Sequence, residues 1–402
     1  MVELYAEGIK KSIQQLEIDK EFDKFTRRHM RKVVNAFRII ICLMLLPLSG
    51  CESYYEFSKE YGIDKNKIYR ILGSCTGESW MRLLRRISSK LLVKIVKKYH
   101  SMSPSTRSRY RVTVVVDSTT LLKLAKKLGL AGIFWSGSLK RKARGIQLVV
   151  LYATVGEGKL LIPLDIRIRK PSPKGRGRRC KEQPALVIEM IKDFKRRMMI
   201  RGIDPEGWFL VMDSWYGSRD LLMKIEEEGF RVVFEGKRNY VFYRDGRKMK
   251  VLELIDQIKW RESSRREFEY GRVNADSPTF GEVTLLLFEE EGKIRYLITR
   301  RNLISSVRII VAYKMRWWIE ELFKILKSLL KIEKFGLIKE REVYGHICLR
   351  MICFMVVCFC ARRICRETIQ KLVRKLKRYW FEWFPGILNF PTFSCPSLEE
   401  AA

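Results

Sequence analysis

Apolar residues recur at helical spacing through the first hundred positions and again beyond residue 305, and between them the period changes to short β-branched runs. Residues 1 to 105 read as helical throughout. Within them YYEFSKEYGIDKNKIYRILG (Tyr54 to Gly73) has the layout of a helix-turn-helix. Gly62 supplies the left-handed turn position, and Phe57, Tyr61, Ile63, Ile68 and Ile71 are spaced to fill the wedge. Asp64 can cap a second helix that turns Lys65, Asn66, Lys67, Tyr69 and Arg70 outward. An ordinary helical hairpin with a solvated basic face is the alternative.

SMSPSTRSR (Ser101 to Arg109) is a linker by composition. After it RVTVVVD predicts a short buried strand ending at Asp117. GIQLVVLYATV and KLLIPLDIRI predict a strand pair turning around Gly156 and Gly158. A basic loop, Arg167 to Lys181, holds eight Lys and Arg and no acid, and its Pro and Gly exclude a helix. Lys174, Arg176, Arg178 and Arg179 in it are placed to track phosphates, unless the loop is simply solvated. A helix from about Gln183 to Arg201 leads to a second buried strand, WFLVMD, ending at Asp213. Residues 231 to 300 are strand-rich and too long for a loop, which predicts a β insertion. One helix then carries YKMRWWIEELFKILK, Tyr313 to Lys327, and a helical region from 346 to 402 closes in an aromatic tail (Trp380, Phe381, Trp383, Phe384). The expected domains are therefore 1–105, 110–345 and 346–402.

The Tyr313 helix carries an unusual stripe. At about 100° per residue Tyr313, Arg316, Glu320 and Lys327 share an arc of roughly 60°, whereas Glu321 points elsewhere. Met315, Ile319, Leu322, Ile325, Leu326 and Leu329 gather on the far side. Standing alone, such a stripe reads as a surface salt-bridge ladder.

Charge changes the picture. The 402 residues hold 80 Lys and Arg against 45 Asp and Glu, a net +35, with 47% hydrophobic positions. That is a folded protein with a polyanionic partner, nucleic acid first among them. The ten Cys are scattered without zinc spacing, which suits a reducing cytoplasm. The longest apolar runs, Ile39 to Leu48 and Met351 to Ala361, fall short of the ~20 residues that span a bilayer, so they predict core helices and no membrane.

Two Asp at the ends of buried strands, with a Glu on a later helix, form the informative constellation. Carboxylates beside an apolar core are costly without a cation, and Mg²⁺ takes oxygen ligands. A pair of ions ~3.5–4 Å apart can activate a water or a 3′-OH and stabilise the leaving oxygen of a phosphoryl transfer. With three His in the chain, Ser–His–Asp or Cys–His catalysis has little material, and a phosphate-binding GxxxxGK[ST] loop is absent.

The order and context of these acids resemble the DDE transposases of bacterial and archaeal insertion sequences. Within them the chain is similar to the large family whose glutamate lies in Y-x2-R-x3-E-x6-K, and Tyr313, Arg316, Glu320 and Lys327 match all four positions. VMDSWYGS around Asp213, VVVDSTT around Asp117 and the strand pair that follows also resemble members, over about residues 110 to 345. The resemblance implies an α/β, RNase H-like mixed five-stranded sheet in which the first and fourth strands are adjacent, interrupted by the β insertion at about 231–300. It implies Asp117, Asp213 and Glu320 as ligands of two Mg²⁺, for which Mn²⁺ can substitute. Tyr313, Arg316 and Lys327 would hold the DNA end. It implies a prokaryotic, nucleoid-associated enzyme that acts as a homodimer on transposon ends and target DNA, commonly through a hairpin intermediate. An RNase H-like nuclease such as a resolvase would keep the acids without the stripe, and a DNA-binding protein derived from a transposase would be expected to have lost an acid, whereas all three are present.

Overall fold

The computed structural model describes residues 2–103, 111–123, 127–137, 139–156, 160–171, 183–237, 239–255, 258–263, 268–290, 292–300 and 303–388. Six helices come first: α1 Val2–Gln15, α2 Ile18–His29, α3 Ala36–Leu45, α4 Tyr54–Tyr61, α5 Lys65–Leu72 and α6 Gly77–His100. Polar caps start three of their turns. Ser53 accepts from the amide of Glu56, Asp64 from Asn66 and Thr76 from Ser79, each satisfying an orphan N–H of a first turn. Between α4 and α5 the chain reverses through Gly62 at φ +62°, as the turn requires. Phe57, Ile68 and Ile71 are buried in the wedge, with Tyr61 and Ile63 half-buried.

The sheet begins with β1 (Val112–Leu122), β2 (Gly132–Ser136), β3 (Arg141–Val155) and β4 (Leu160–Arg169). β1 pairs antiparallel with β3 from Val112↔Val155 to Leu122↔Gly145, and β4 pairs antiparallel with β3. A register shift falls between Leu151 and Tyr152, opposite Asp165 and Pro163. Pro163 sits in that irregularity, where its missing N–H breaks no regular ladder. Helix α7 (Gln183–Met199) leads to β5 (Phe209–Met212), and α8 (Arg219–Glu227) to β6 (Arg231–Glu235). β5 pairs parallel with β1, and β6 parallel with β5. The order β4-β3-β1-β5-β6 is the RNase H-like mixed sheet, with its first and fourth strands side by side.

Two expectations about strand limits change. β1 does not stop at Asp117 but runs five residues further, because β3 is long enough to pair it to Leu122. Residues 231–235 are the fifth strand of the central sheet rather than part of the insertion, since Val232 and Val233 sit against Leu210 and Val211. The insertion itself contributes β7 (Val241–Arg244), β8 (Arg247–Lys250), the short α9 (Val251–Ile255), β9 (Arg261–Glu262), β10 (Glu269–Ser277), β11 (Gly281–Glu290) and β12 (Lys293–Arg300). β12 pairs antiparallel with β6, so the insertion extends the central sheet instead of forming a separate lobe.

The chain continues into α10 (Ser306–Lys314), α11 (Trp317–Lys324) and a π-turn, Ile325–Leu329. α12 (Glu340–Phe359) ends in a second π-turn, and α13 (Ile369–Arg378) and α14 (Trp380–Leu388) follow. With its continuation to Arg362, α12 makes 23 residues, twice the apolar run expected, and is long and apolar enough to cross a bilayer. In the structure 89% of that apolar window is buried. His346 within it is fully buried. Its Nε2 lies 3.0 Å from the Ile332 carbonyl, an acceptor only, so Nε2 carries the proton and Nδ1 accepts from the Tyr54 hydroxyl at 2.6 Å. The aromatic tail also finds its place: Trp380 and Trp383 are buried, and Tyr61 of α4 meets the rings of Trp380, Phe381 and Phe384.

α6 is fastened to β4 by charge. Buried Asp165 receives Arg85 Nε at 2.7 Å, and Arg85 also reaches Glu78 at 2.6 Å. Removing one member would strand a charge in the interior, which is why such sets are hard to alter singly.

Candidate active site

The parallel pairing of β1 with β5 places the first two acids. Val116 stands opposite Met212, so Asp117 and Asp213 follow it side by side, although 96 positions separate them in the chain. Each carboxylate folds back onto the amide of the residue that follows it. Asp117 Oδ1 accepts from the amide of Ser118 and Asp213 Oδ1 from that of Ser214, both at 2.7 Å. Burial pushes the Asp117 carboxyl up to about 7; the Ser118 amide and Arg316 pull the other way, and Asp213 and Glu320 add to the rise. A carboxylate pair left short of positive charge fits a divalent cation, whose hard oxygen preference these donors meet.

Arg316 is the cation beside them. Its Nη1 lies 3.5 Å from Asp117 Oδ2 and its Nη2 3.0 Å from Glu320 Oε1, so one guanidinium bridges two of the three expected ligands. Burial opposes the charge on Arg316, but Tyr313, Asp117 and Asp213 outweigh it and hold the group above its ordinary range. Glu320 is 54% exposed at its side chain and turned toward Arg316. Among the described residues no three His, Cys, Asp or Glu side chains stand close enough to share a metal. The structure therefore gathers Asp117 and Asp213, and leaves Glu320 one ion pair away.

The stretch from Tyr313 to Lys327 is not one regular α-helix, although Met315 and Arg316 keep right-handed helical dihedrals. The chain turns at Met315 and Arg316 between α10 and α11, and the π-turn changes phase before Lys327. Tyr313 is buried rather than presented, and its hydroxyl donates to Glu235 Oε2 on β6 at 2.7 Å. Lys327 points inward too, donating to the Thr120 carbonyl at 2.9 Å with Glu333 at 3.8 Å. Tyr313 and Lys327, expected to hold DNA, face the sheet as Arg316 does, and their hydrogen bonds here run to Glu235 and Thr120. Glu321 does stand apart, accepting from Gln370 Nε2 of α13 at 3.1 Å.

One neighbour escaped the sequence reading. Tyr152 lies two residues along β3 from Val150, the partner of Asp117, and so on the same face; its hydroxyl donates to the Met315 carbonyl at 2.7 Å. Alternation along β3 would have found it. Of the residues expected to contact DNA in the helix-turn-helix, Lys65 and Arg70 are exposed and Lys67 half-buried. The Lys65 ammonium lies 5.5 Å and 5.7 Å from the ring centres of Tyr55 and Tyr69. Lys174, Arg176, Arg178 and Arg179 lie outside the described residues.

None of the curated proteins matches the chain. Residues 185–356 match the family model for the transposase DDE domain, a span that includes Asp213, Glu320 and most of α12 but not the strand of Asp117. That match spans part of the chain, and the sheet order independently sets a second Asp beside Asp213.

Proposed function

We propose that this chain is the transposase of an insertion sequence, one that binds the terminal inverted repeats, nicks DNA and joins the freed 3′-OH to a target. The observation that carries the reading is the juxtaposition of Asp117 and Asp213 at the end of the parallel pairing, with Glu320 tethered beside them through Arg316. Asp117, Asp213 and Glu320 would hold two Mg²⁺ or Mn²⁺ ions. When bound, such ions supply an activated oxygen nucleophile and a counter-charge for the leaving oxygen.

The other residues orient. Tyr152 fixes the Met315 carbonyl and Tyr313 fixes Glu235, so the turn bearing Arg316 is held against the sheet from both sides. A DNA phosphate arriving at Arg316 competes with Glu320 for the guanidinium and frees that carboxylate toward the Asp pair. The exposed face of α5 and the loop around Lys174, Arg176, Arg178 and Arg179 would bind DNA away from the cut. Two copies acting together on paired ends, in the nucleoid of a prokaryotic cytoplasm, complete the proposal.

The test is nicking of a labelled end duplex by the full chain in Mg²⁺. Asp117→Asn and Asp213→Asn should each abolish cleavage while leaving duplex affinity within about twofold. Cleavage that survives either change would place the chemistry elsewhere.

A further inference from the structure

Side-chain alternation along β3 links the candidate active site to an exposed ribbon. Val150 pairs with Asp117, and Leu148, Ile146, Arg144 and Lys142 follow at every second position, on the same face as Asp117. Arg144 and Lys142 pair in turn with Ile133 and Trp135 of β2. The face bearing Asp117 therefore runs out from beneath α11 onto the β2–β3 ribbon. There it becomes exposed: Ile133 is 71% and Trp135 61% accessible, while Phe134 and Ser136, on the other face, are buried.

Two large apolar side chains in water need a reason, and the charge around them narrows it. Lys142, opposite Trp135, and Lys140 just before β3 are exposed, and neither has an acidic partner among the described residues. The ribbon is anchored to β1 through the Thr120 hydroxyl, which donates to the Trp135 carbonyl at 2.9 Å. Lys142 lies eight residues from Val150 along β3, which at ~3.3 Å per residue is roughly 26 Å. Along a duplex that distance is about seven to eight base pairs.

We propose that the β2–β3 ribbon is a DNA-binding element. It would lie against the same duplex that the active site cuts, about seven to eight base pairs from the cleaved phosphodiester. Lys140 and Lys142 engage phosphates, and Trp135 with Ile133 packs on sugar and base edges. Charge complementarity selects the occupant, since an apolar pair ringed by unneutralised cations suits a polyanion with apolar edges better than a second copy of a chain at +35. This inference rests on the proposed function for the position of the cut, though its binding readouts do not.

The experiment compares the full chain with Trp135→Ala, Trp135→Phe and the double change Lys140→Gln, Lys142→Gln on an end duplex. Each change is at an exposed position, and unaltered thermal melting confirms the fold. The double variant should lower the log–log salt slope of binding by roughly 0.9 for each phosphate that it no longer neutralises. Trp135→Ala should weaken binding at least fivefold and remove hydroxyl-radical protection seven to eight base pairs from the nick, with Trp135→Phe restoring much of both. Unchanged slope, affinity and protection would overturn the ribbon while leaving the proposed function standing, provided that wild type nicks in Mg²⁺. Loss of a solution dimer at constant DNA affinity would overturn it also, and make this surface an interface between copies. If wild type does not nick, the proposed function fails, and the salt slope still decides the ribbon.

Discussion

Lys327 Nζ donates to the carbonyl of Thr120 at 2.9 Å, three residues along β1 from Asp117. The last residue of the Y-R-E-K stripe is thus a strut between the π-turn and the strand of the first Asp. Beside it Glu333 accepts from the Leu122 amide at 2.9 Å, and Lys123 caps the Phe335 carbonyl at 3.1 Å. Lys327→Met keeps the stem and removes the charged donor, so the denaturation midpoint should fall by an amount corresponding to ~1.5–3 kcal/mol. Cleavage should drop with the salt slope of DNA binding unchanged. A slope reduced by about 0.9 would put Lys327 on a phosphate instead.

The raised Asp117 carboxyl makes a pH prediction with a definite sign. In the unfolded chain the group has the ordinary value of 3.8, and in the fold it is pushed up to about 7. Between those values the folded state keeps a proton that the unfolded state has released, so stability falls as pH climbs through this window and levels off above it. Asp117→Asn is free of that decline. Chemical denaturation without metal should show the variant gaining on wild type from about pH 4 to 7, and Mg²⁺ above pH 7 should narrow the gap. Parallel curves would mean that the carboxyl is not short of positive charge.

Glu320 and Glu321 are neighbours with opposite surroundings. Glu320→Gln removes the charge that Arg316 now holds and that an ion would need, and nicking should collapse. Glu321→Gln should cut at nearly the wild-type rate and lower stability by at most ~1 kcal/mol as its hydrogen bond with Gln370 weakens. Equal loss of nicking in both would refute the assignment of Glu320.

The second helix of the helix-turn-helix can be examined in the intact protein. Lys67→Ala with Arg70→Ala should weaken an end-containing duplex more than random DNA, since removing a hydrogen bond to a base costs ~1–3 kcal/mol at one position. The measurement is a competition titration at fixed salt. Equal weakening on both duplexes would leave α5 as a phosphate-binding helix without sequence reading.

Local order was well written in the chain. The β-branched run Val114 to Val116 makes a buried strand wherever it is placed, Gly62 makes a turn, and the wedge of Phe57, Ile68 and Ile71 follows from helical spacing. The acids themselves were also legible, because a carboxylate closing an apolar run is rare without a cation to meet it.

What only the tertiary structure decided is which partners those side chains take. Helix periodicity gives a direction around an axis but assumes that the axis is unbroken. The turn at Met315 and the π-turn at Ile325–Leu329 interrupt it, and only the packed fold gives Tyr313 its partner Glu235 and Lys327 its partner Thr120. Strand pairing is likewise non-local. Nothing near Asp117 in the chain specifies Met212 as the partner of Val116, nor that β12 should extend the sheet from β6, because the alternating pattern names a face and not a neighbour. The sequence by itself determined the chemistry available to this protein, through residue types and their local period; the packing of distant strands and helices decided which of those groups meet.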